Sequence, residues 1–198
     1  MTLPRFYPIF DDASWLRRLL PLGVGLVQLR VKDMTGEALK QQITQAQSLC
    51  SETGAILVVN DHWQAAIDEG CDWVHLGQED LDTADIPAIR RAGIKLGLST
   101  HDHTELDRAL SHDPDYVALG PVYPTILKKM KWHEQGLDKL TEWKRLIGDI
   151  PLVAIGGMSV ERAQGAFEAG ADVVSAVTDI TLNDTPEARV RQWIEATT

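Results

Sequence analysis

Residues 152–177 decide the fold: Leu152-Val153-Ala154-Ile155-Gly156-Gly157-Met158-Ser159, a segment of helical spacing through Ala163–Ala169, then Gly170-Ala171-Asp172 and the run Val173-Val174-Ser175-Ala176-Val177. An apolar run without polar alternation predicts a strand buried on both faces, and two such runs around an amphipathic segment predict a parallel β-α-β unit. The connection recurs. Glu69-Gly70-Cys71-Asp72 leads into Trp73–Leu76 as Ala169-Gly170-Ala171-Asp172 leads into Val173–Val177, with glycine where a helix end wants positive φ.

Outward from that unit the same alternation fills the chain. Apolar runs stand at Phe6–Phe10, Gly25–Leu29, Ile56–Val59, Trp73–Leu76, Lys95–Leu98, Tyr116–Leu119, Leu152–Ile155 and Val173–Val177. Between them Ala38–Cys50, Trp63–Glu69, Ile86–Ala92, Leu106–Leu110, Leu140–Ile147, Ala163–Ala169 and Ala188–Ala196 have helical spacing. The class is α/β, and eight such units in 198 residues predict a single (β/α)8 TIM barrel near its lower size limit, one domain over residues 1–198. A doubly wound open sheet is the competing architecture, but no G-x-G-x-x-G turn follows the first strand. The stretch from Gly120 to Gly136 is too long for a turn and reads as a functional loop.

Composition narrows the partners. Hydrophobic residues at 44% and charged residues at 24% are ordinary for a folded domain and exclude a disordered or fibrous chain. A net charge of −10 repels nucleic acid and anionic lipid. No apolar run approaches the roughly 20 residues of a membrane span, so neither nucleic acid nor a membrane is an expected partner. Cys50 and Cys71 form no C-x-x-C pair, and the residues from Met1 to Phe10 carry no signal-peptide pattern, so a cytoplasmic location is expected. Oligomeric state is left open, a homo-oligomer being compatible with the sequence.

In a barrel the site forms where the strands end, so the residues after each run carry the chemistry. Alternation along Gln28-Leu29-Arg30-Val31-Lys32 sends Gln28, Arg30 and Lys32 inward as an anion cradle, although a solvated strand end has the same pattern. Asn60-Asp61 and His75-Leu76-Gly77-Gln78-Glu79-Asp80 close the next two runs. Asp61 and Asp80, one β-α unit apart, can face each other at adjacent strand tips, and a carboxylate pair beside an anion cradle suits Mg²⁺. The bland reading of each is a helix N-cap. Ser99-Thr100-His101 and Gly120-Pro121-Val122-Tyr123-Pro124-Thr125 follow, then Lys128, Lys129 and Lys131, a basic cluster in an acidic chain. Gly156-Gly157 is read as opening a helix and offering backbone N–H groups to a second anion, with a tight turn as the plain alternative. His101-x-His103 has no partner that would make zinc plausible. Two anion sites imply phosphorylated small-molecule substrates and favour a transferase over an isomerase, whose base would have to be Glu79 or His101.

These motifs, in this order and over nearly the whole chain, resemble the thiamine-phosphate synthase family. The resemblance implies a barrel enzyme that joins a hydroxymethylpyrimidine diphosphate to a thiazole phosphate and releases diphosphate. It implies that Gln28, Leu29, Arg30, Val31, Lys32, Asn60, Ser99 and Lys128 hold the pyrimidine diphosphate, with Arg30, Lys32 and Lys128 stabilising the departing charge. Asp61 and Asp80 would hold Mg²⁺. Thr125, Ile126, Leu127, Gly157, Val177 and Thr178 would take the thiazole phosphate. The chain departs from the family in reading Thr125-Ile126-Leu127-Lys128 where Thr-x-Thr-Lys is usual, and in placing Thr178 where serine is usual. A branch of the fold acts as a thiazole tautomerase or is inactive. Such a protein has no diphosphate to hold, so Arg30, Lys32, Asp61, Asp80 and Lys128 speak for the synthase.

Overall fold

The computed structural model describes residues 2–125 and 133–198. Eight parallel strands close on themselves in sequence order, β1 (Phe6–Phe10), β2 (Leu26–Leu29), β3 (Ile56–Asn60), β4 (Trp73–Leu76), β5 (Lys95–Thr100), β6 (Tyr116–Leu119), β7 (Leu152–Ala154) and β8 (Val173–Ala176). The barrel closes through β1 against β8, with Tyr7 opposite Ser175. The TIM barrel expected from the apolar runs is therefore the fold, and the runs match the strands to within two residues at either end.

The helices are α1 (Ala13–Leu19), α2 (Gly36–Thr53), α3 (Trp63–Asp68), α4 (Ile86–Arg91), α5 (His103–Leu110), α6 (Gly136–Ile147), α7 (Val160–Glu168), α8 (Thr178–Thr181) and α9 (Pro186–Thr197). Helix α2 buries Leu39, Ile43, Ala46 and Cys50, a stripe at three- and four-residue spacing, and ends where Gly54 takes φ 71° and donates its N–H to the Cys50 carbonyl. Periodicity reading missed α1, whose buried face is only Ala13, Leu16 and Leu19, and the single-turn α8.

The aspartate that precedes a strand has a structural task. The Asp172 carboxylate accepts the Leu152 N–H at 2.8 Å and the Lys144 ammonium at 2.8 Å, tying the entrance of β8 to β7 and α6. Asp115 does the same at the start of β6, accepting the Leu96 N–H at 2.8 Å and Arg90 at 2.6 Å.

Two apolar regions result. The larger lies between strands and helices. The smaller, containing Leu3, Tyr7, Leu26, Val58, Trp73, Tyr116, Ala118, Val153 and Val173, fills the barrel itself. Since side chains alternate along a strand, placing Leu26 and Val58 inside the barrel also places Gln28 and Asn60 inside, one layer nearer the strand ends.

Candidate active site

The C-terminal ends of β2 to β5 bring the predicted polar residues to one rim. Gln28 is 2% exposed, Arg30 is half-buried just beyond β2, and Lys32 is exposed two residues on, so the inward alternation holds for the first two and fades at the third. Leu29 and Val31 point the other way, into the apolar layer under the helices. The Val31 carbonyl meets His62 Nε2 at 2.7 Å, joining the ends of β2 and β3.

Asp61 follows Asn60 in the left-handed region, at φ 63°. Its N–H donates to the His75 carbonyl at 2.9 Å, continuing the β3–β4 ladder, and its carbonyl accepts the Trp63 N–H at 2.8 Å. A non-glycine residue is uncommon there, and Asp and Asn are among those that tolerate it. Neither aspartate caps a helix. The N-cap of α3 is His62, and the Asp80 carboxylate accepts the Gly77 N–H at 3.0 Å across its own turn. Burial, the charge of Asp80 and a hydrogen bond with it push the Asp61 carboxyl up to about 6, while Arg30 pulls the other way. The expected juxtaposition of the two carboxylates is thus present, with a cation beside it. Among the described residues no group of three or more His, Cys, Asp or Glu side chains converges, so the pair is not a closed metal cage. Two close carboxylates with an unrelieved charge fit a hard cation that draws its remaining ligands from water and substrate phosphate, as Mg²⁺ does.

Ser99, near the end of β5, sits beside His75, with Oγ 2.8 Å from His75 Nε2. Its carbonyl accepts the Gln78 side-chain amide at 2.7 Å. The Asn60 side-chain nitrogen, also buried, makes no close hydrogen bond among the described residues and lies near enough to Asp61 to favour its charged form. His101 and His103 engage different carboxylates, Glu105 at 2.6 Å and Glu142 at 2.8 Å, and form no zinc pair.

Across the barrel, Gly156 and Gly157 take φ 93° and 62°. They do not open α7, whose N-cap is Ser159, and this corrects the sequence reading. Their conformation serves a close approach instead. The Tyr123 N–H donates to the Gly156 carbonyl at 3.0 Å, and a Cβ on Gly157 would collide with the Pro124 carbonyl oxygen. Thr125 lies at the end of that same segment. Val177 is the N-cap of α8, and Thr178 is its first residue. Helix α8 is anchored by Asp179, which binds Arg189 through both oxygens at 2.8 and 2.9 Å and accepts the Trp193 indole N–H at 2.7 Å. Ile126, Leu127 and Lys128 lie outside the described residues, as do Lys129, Lys131 and Trp132.

Sequence reading missed the polar chain inside the barrel. Gln28 Nε2 donates to Tyr7 Oη at 2.8 Å, Tyr7 and Tyr116 hydroxyls meet at 2.9 Å, and Tyr116 Oη lies 2.8 Å from His75 Nδ1. One signal could have found it: Gly97 interrupts an apolar strand, which marks close approach by another group.

Structure and rim together define a closed parallel (β/α)8 barrel with a carboxylate pair, a flanking arginine and a serine at the strand ends. The family model for thiamine monophosphate synthase matches residues 7–180. A thiamine-phosphate synthase of Rhizobium etli is 58% identical over 197 residues, covering 100% of this chain and 97% of that protein. One of Neisseria meningitidis is 44% identical over 189 residues, covering 96% and 92%. Among solved structures, a thiamine phosphate pyrophosphorylase from Pyrococcus furiosus superposes with a TM-score of 0.87 over 98% of this chain and 95% of that one, at 23% identity. The chain belongs to the thiamine monophosphate synthase family.

Proposed function

We infer that the protein condenses 4-amino-2-methyl-5-hydroxymethylpyrimidine diphosphate with a thiazole phosphate, giving thiamine phosphate and diphosphate. The observation that carries the residue assignment is the Asp61–Asp80 pair beside Arg30, since an acidic pair next to a cation suits a metal–diphosphate, whereas the Gly77 turn needs only one Asp80 oxygen. Asp61 and Asp80 would hold Mg²⁺, which when bound supplies positive charge to the diphosphate. Arg30, Lys32 and, from the basic segment, Lys128 receive the charge that builds on the leaving oxygen. The methylene C–O bond breaks with its electron pair going to diphosphate, and the thiazole nitrogen attacks the cation-like methylene. No protein base is needed for that step, so catalysis rests on electrostatic stabilisation and positioning.

Gln28, Asn60 and Ser99 complete the pyrimidine diphosphate site in this reading, with Leu29 and Val31 taking part through backbone groups alone because their side chains pack into the apolar layer. Thr125, Ile126, Leu127, Gly157, Val177 and Thr178 form the thiazole phosphate site. The barrel acts as a single domain, with two free buried thiols, Cys50 and Cys71, in keeping with a reducing cytoplasm. Among the described residues no helix is long and apolar enough to cross a membrane.

Incubation of the protein with both heterocycles and Mg²⁺, followed by separation of products, tests the reading. Thiamine phosphate and diphosphate in equal amounts are expected. Binding of the thiazole phosphate without product would overturn it in favour of an inactive or tautomerase-like paralogue.

A further inference from the structure

We propose that Tyr7, Tyr116 and His75 are positioning residues that direct the hydroxyl hydrogen of Ser99 out of the protein and toward the substrate diphosphate. This rests on the reading that Ser99 contacts the diphosphate.

Each hydrogen along one buried chain of side chains has a single place to go once the first donor is fixed. An amide nitrogen can only donate, so the contact from Gln28 Nε2 makes Tyr7 Oη an acceptor. Tyr7 must still place its own hydrogen, and its remaining hydrogen-bond partner among the described residues is Tyr116 Oη. Tyr116 is then an acceptor toward Tyr7, and its hydrogen goes to His75 Nδ1. An imidazole that accepts at Nδ1 carries its proton on Nε2, and that N–H donates to Ser99 Oγ. Ser99 has received a hydrogen from inside, so its own points elsewhere, and among the described residues this half-buried hydroxyl meets no second acceptor, which leaves its hydrogen for solvent or a bound diphosphate.

The chain stays neutral. All three side chains are buried, His75 at 8%, Tyr7 at 1% and Tyr116 at 0% exposure, where an uncompensated charge is costly. Packing fixes its geometry. The His75 ring stacks on Tyr116 at 5.6 Å and 14°, and Tyr7 meets Tyr116 edge-on at 6.0 Å. If the Gln28 amide were reversed, its carbonyl would accept from Tyr7 and every hydrogen would turn. Ser99 would then donate to His75 and present only lone pairs to an anion, the opposite of what a diphosphate needs.

Two measurements on the full-length enzyme test this. Proton–nitrogen correlation of ¹⁵N-histidine-labelled protein, with His75 assigned by its loss in His75→Gln, should show the Nε2–H tautomer. Kinetically, Ser99→Ala and Tyr116→Phe should each lower kcat/KM for the pyrimidine diphosphate by about 10-fold or more, the scale of a hydrogen bond to a charged group, with the thiazole phosphate KM unchanged. In the Ser99→Ala background Tyr116→Phe should then cost less than about 2-fold, because no hydroxyl remains to orient. Equal penalties in both backgrounds would reduce Tyr116 to a packing role and overturn the proposal. An Nδ1–H tautomer overturns it even if Tyr116→Phe fails to fold, and leaves the Ser99 contact standing where Ser99→Ala is still impaired. A silent Ser99→Ala with the Nε2–H tautomer present removes the contact itself, and the proposal falls with it.

Discussion

The ring of Tyr116 fills the space that a side chain on Gly97 would need: a Cβ there would overlap the Tyr116 ring carbons and hydroxyl. Strands β5 and β6 pair with Gly97 opposite Tyr116, so the ring lies over its neighbour's backbone and reaches His75 and Tyr7 from there. One missing side chain thus admits the hydroxyl that joins two halves of the barrel interior.

Gly97→Ala should therefore be among the most destabilising single-methyl additions in this protein. Overpacking a core costs about 1–3 kcal/mol, and here the clash is with a buried ring on a paired strand, so a loss at or above about 3 kcal/mol is expected. Urea unfolding measures it. A loss under about 1 kcal/mol would mean that the ring finds another position at little cost.

Asp61 sets function against stability. Its carboxyl in the folded protein titrates near 6 rather than 3.8, so folding disfavours the charged form. The penalty is absent at low pH, grows as pH rises from about 4 toward 6, and is fully present above that. Asp61→Asn keeps a residue that tolerates positive φ and removes the charge. In metal-free protein at neutral pH its melting temperature should exceed wild type by roughly 2–4 °C, the equivalent of about 1 kcal/mol at this chain length. The difference should vanish near pH 4, while Mg²⁺-dependent turnover falls sharply. A variant that melts lower than wild type at neutral pH would show that the carboxylate is a net stabiliser.

The barrel was legible because most β-α units repeat one solution: a two-sided apolar strand, a glycine at the helix end and in places an aspartate that grips the preceding strand. Asp61, Asp80, Arg30 and Ser99 were legible because they lie within four residues of the ends of those strands. The interior chain was not. Tyr7 and Tyr116 sit within apolar runs, where sequence reads their rings and not their hydroxyls, and only closure of the barrel brings residues 109 positions apart within 2.9 Å. Of the two readings of Gly156 and Gly157 the tight turn holds and the helix opening does not, since their φ values answer to the facing 121–124 segment and not to the helix that follows.

Leu127 stands where the family usually has a hydroxyl, and it lies outside the described residues. If position 127 meets the thiazole phosphate, one donor is missing, a deficit of about 1.5–3 kcal/mol for a bond to a charged group. Lys129 and Lys131 can offset it by Coulomb attraction, which salt screens. Leu127→Thr should lower the thiazole phosphate KM by about 10-fold or more, leave the pyrimidine diphosphate KM unchanged and reduce salt sensitivity. Equal thiazole KM values at low and high salt in both proteins would place position 127 away from the phosphate.

Gly157→Ala separates backbone strain from site geometry. Gly157 at φ 62° and Gly54 at φ 71° both lie in the left-handed region, where a non-glycine residue costs about 1 kcal/mol or more. Around Gly54 nothing lies within 4 Å of an added Cβ, so Gly54→Ala bears the backbone cost alone. At Gly157 the same methyl meets the Pro124 carbonyl oxygen, with Tyr123 Cβ and its carbonyl oxygen at 2.8 Å, and the 123–125 segment must move. Both variants should melt below wild type. Only Gly157→Ala should raise the thiazole phosphate KM if Thr125, in the displaced segment, belongs to that site as proposed, while the pyrimidine diphosphate KM, assigned in the same proposal to Arg30, Asn60 and Ser99 on the opposite rim, stays within about 2-fold of wild type. Steady-state titration of each substrate against the other at saturation separates the two. Unchanged thiazole kinetics in Gly157→Ala, alongside a melting temperature no lower than that of Gly54→Ala, would mean that the 121–125 segment yields without disturbing a ligand, and would remove Gly157 and Thr125 from the thiazole phosphate site.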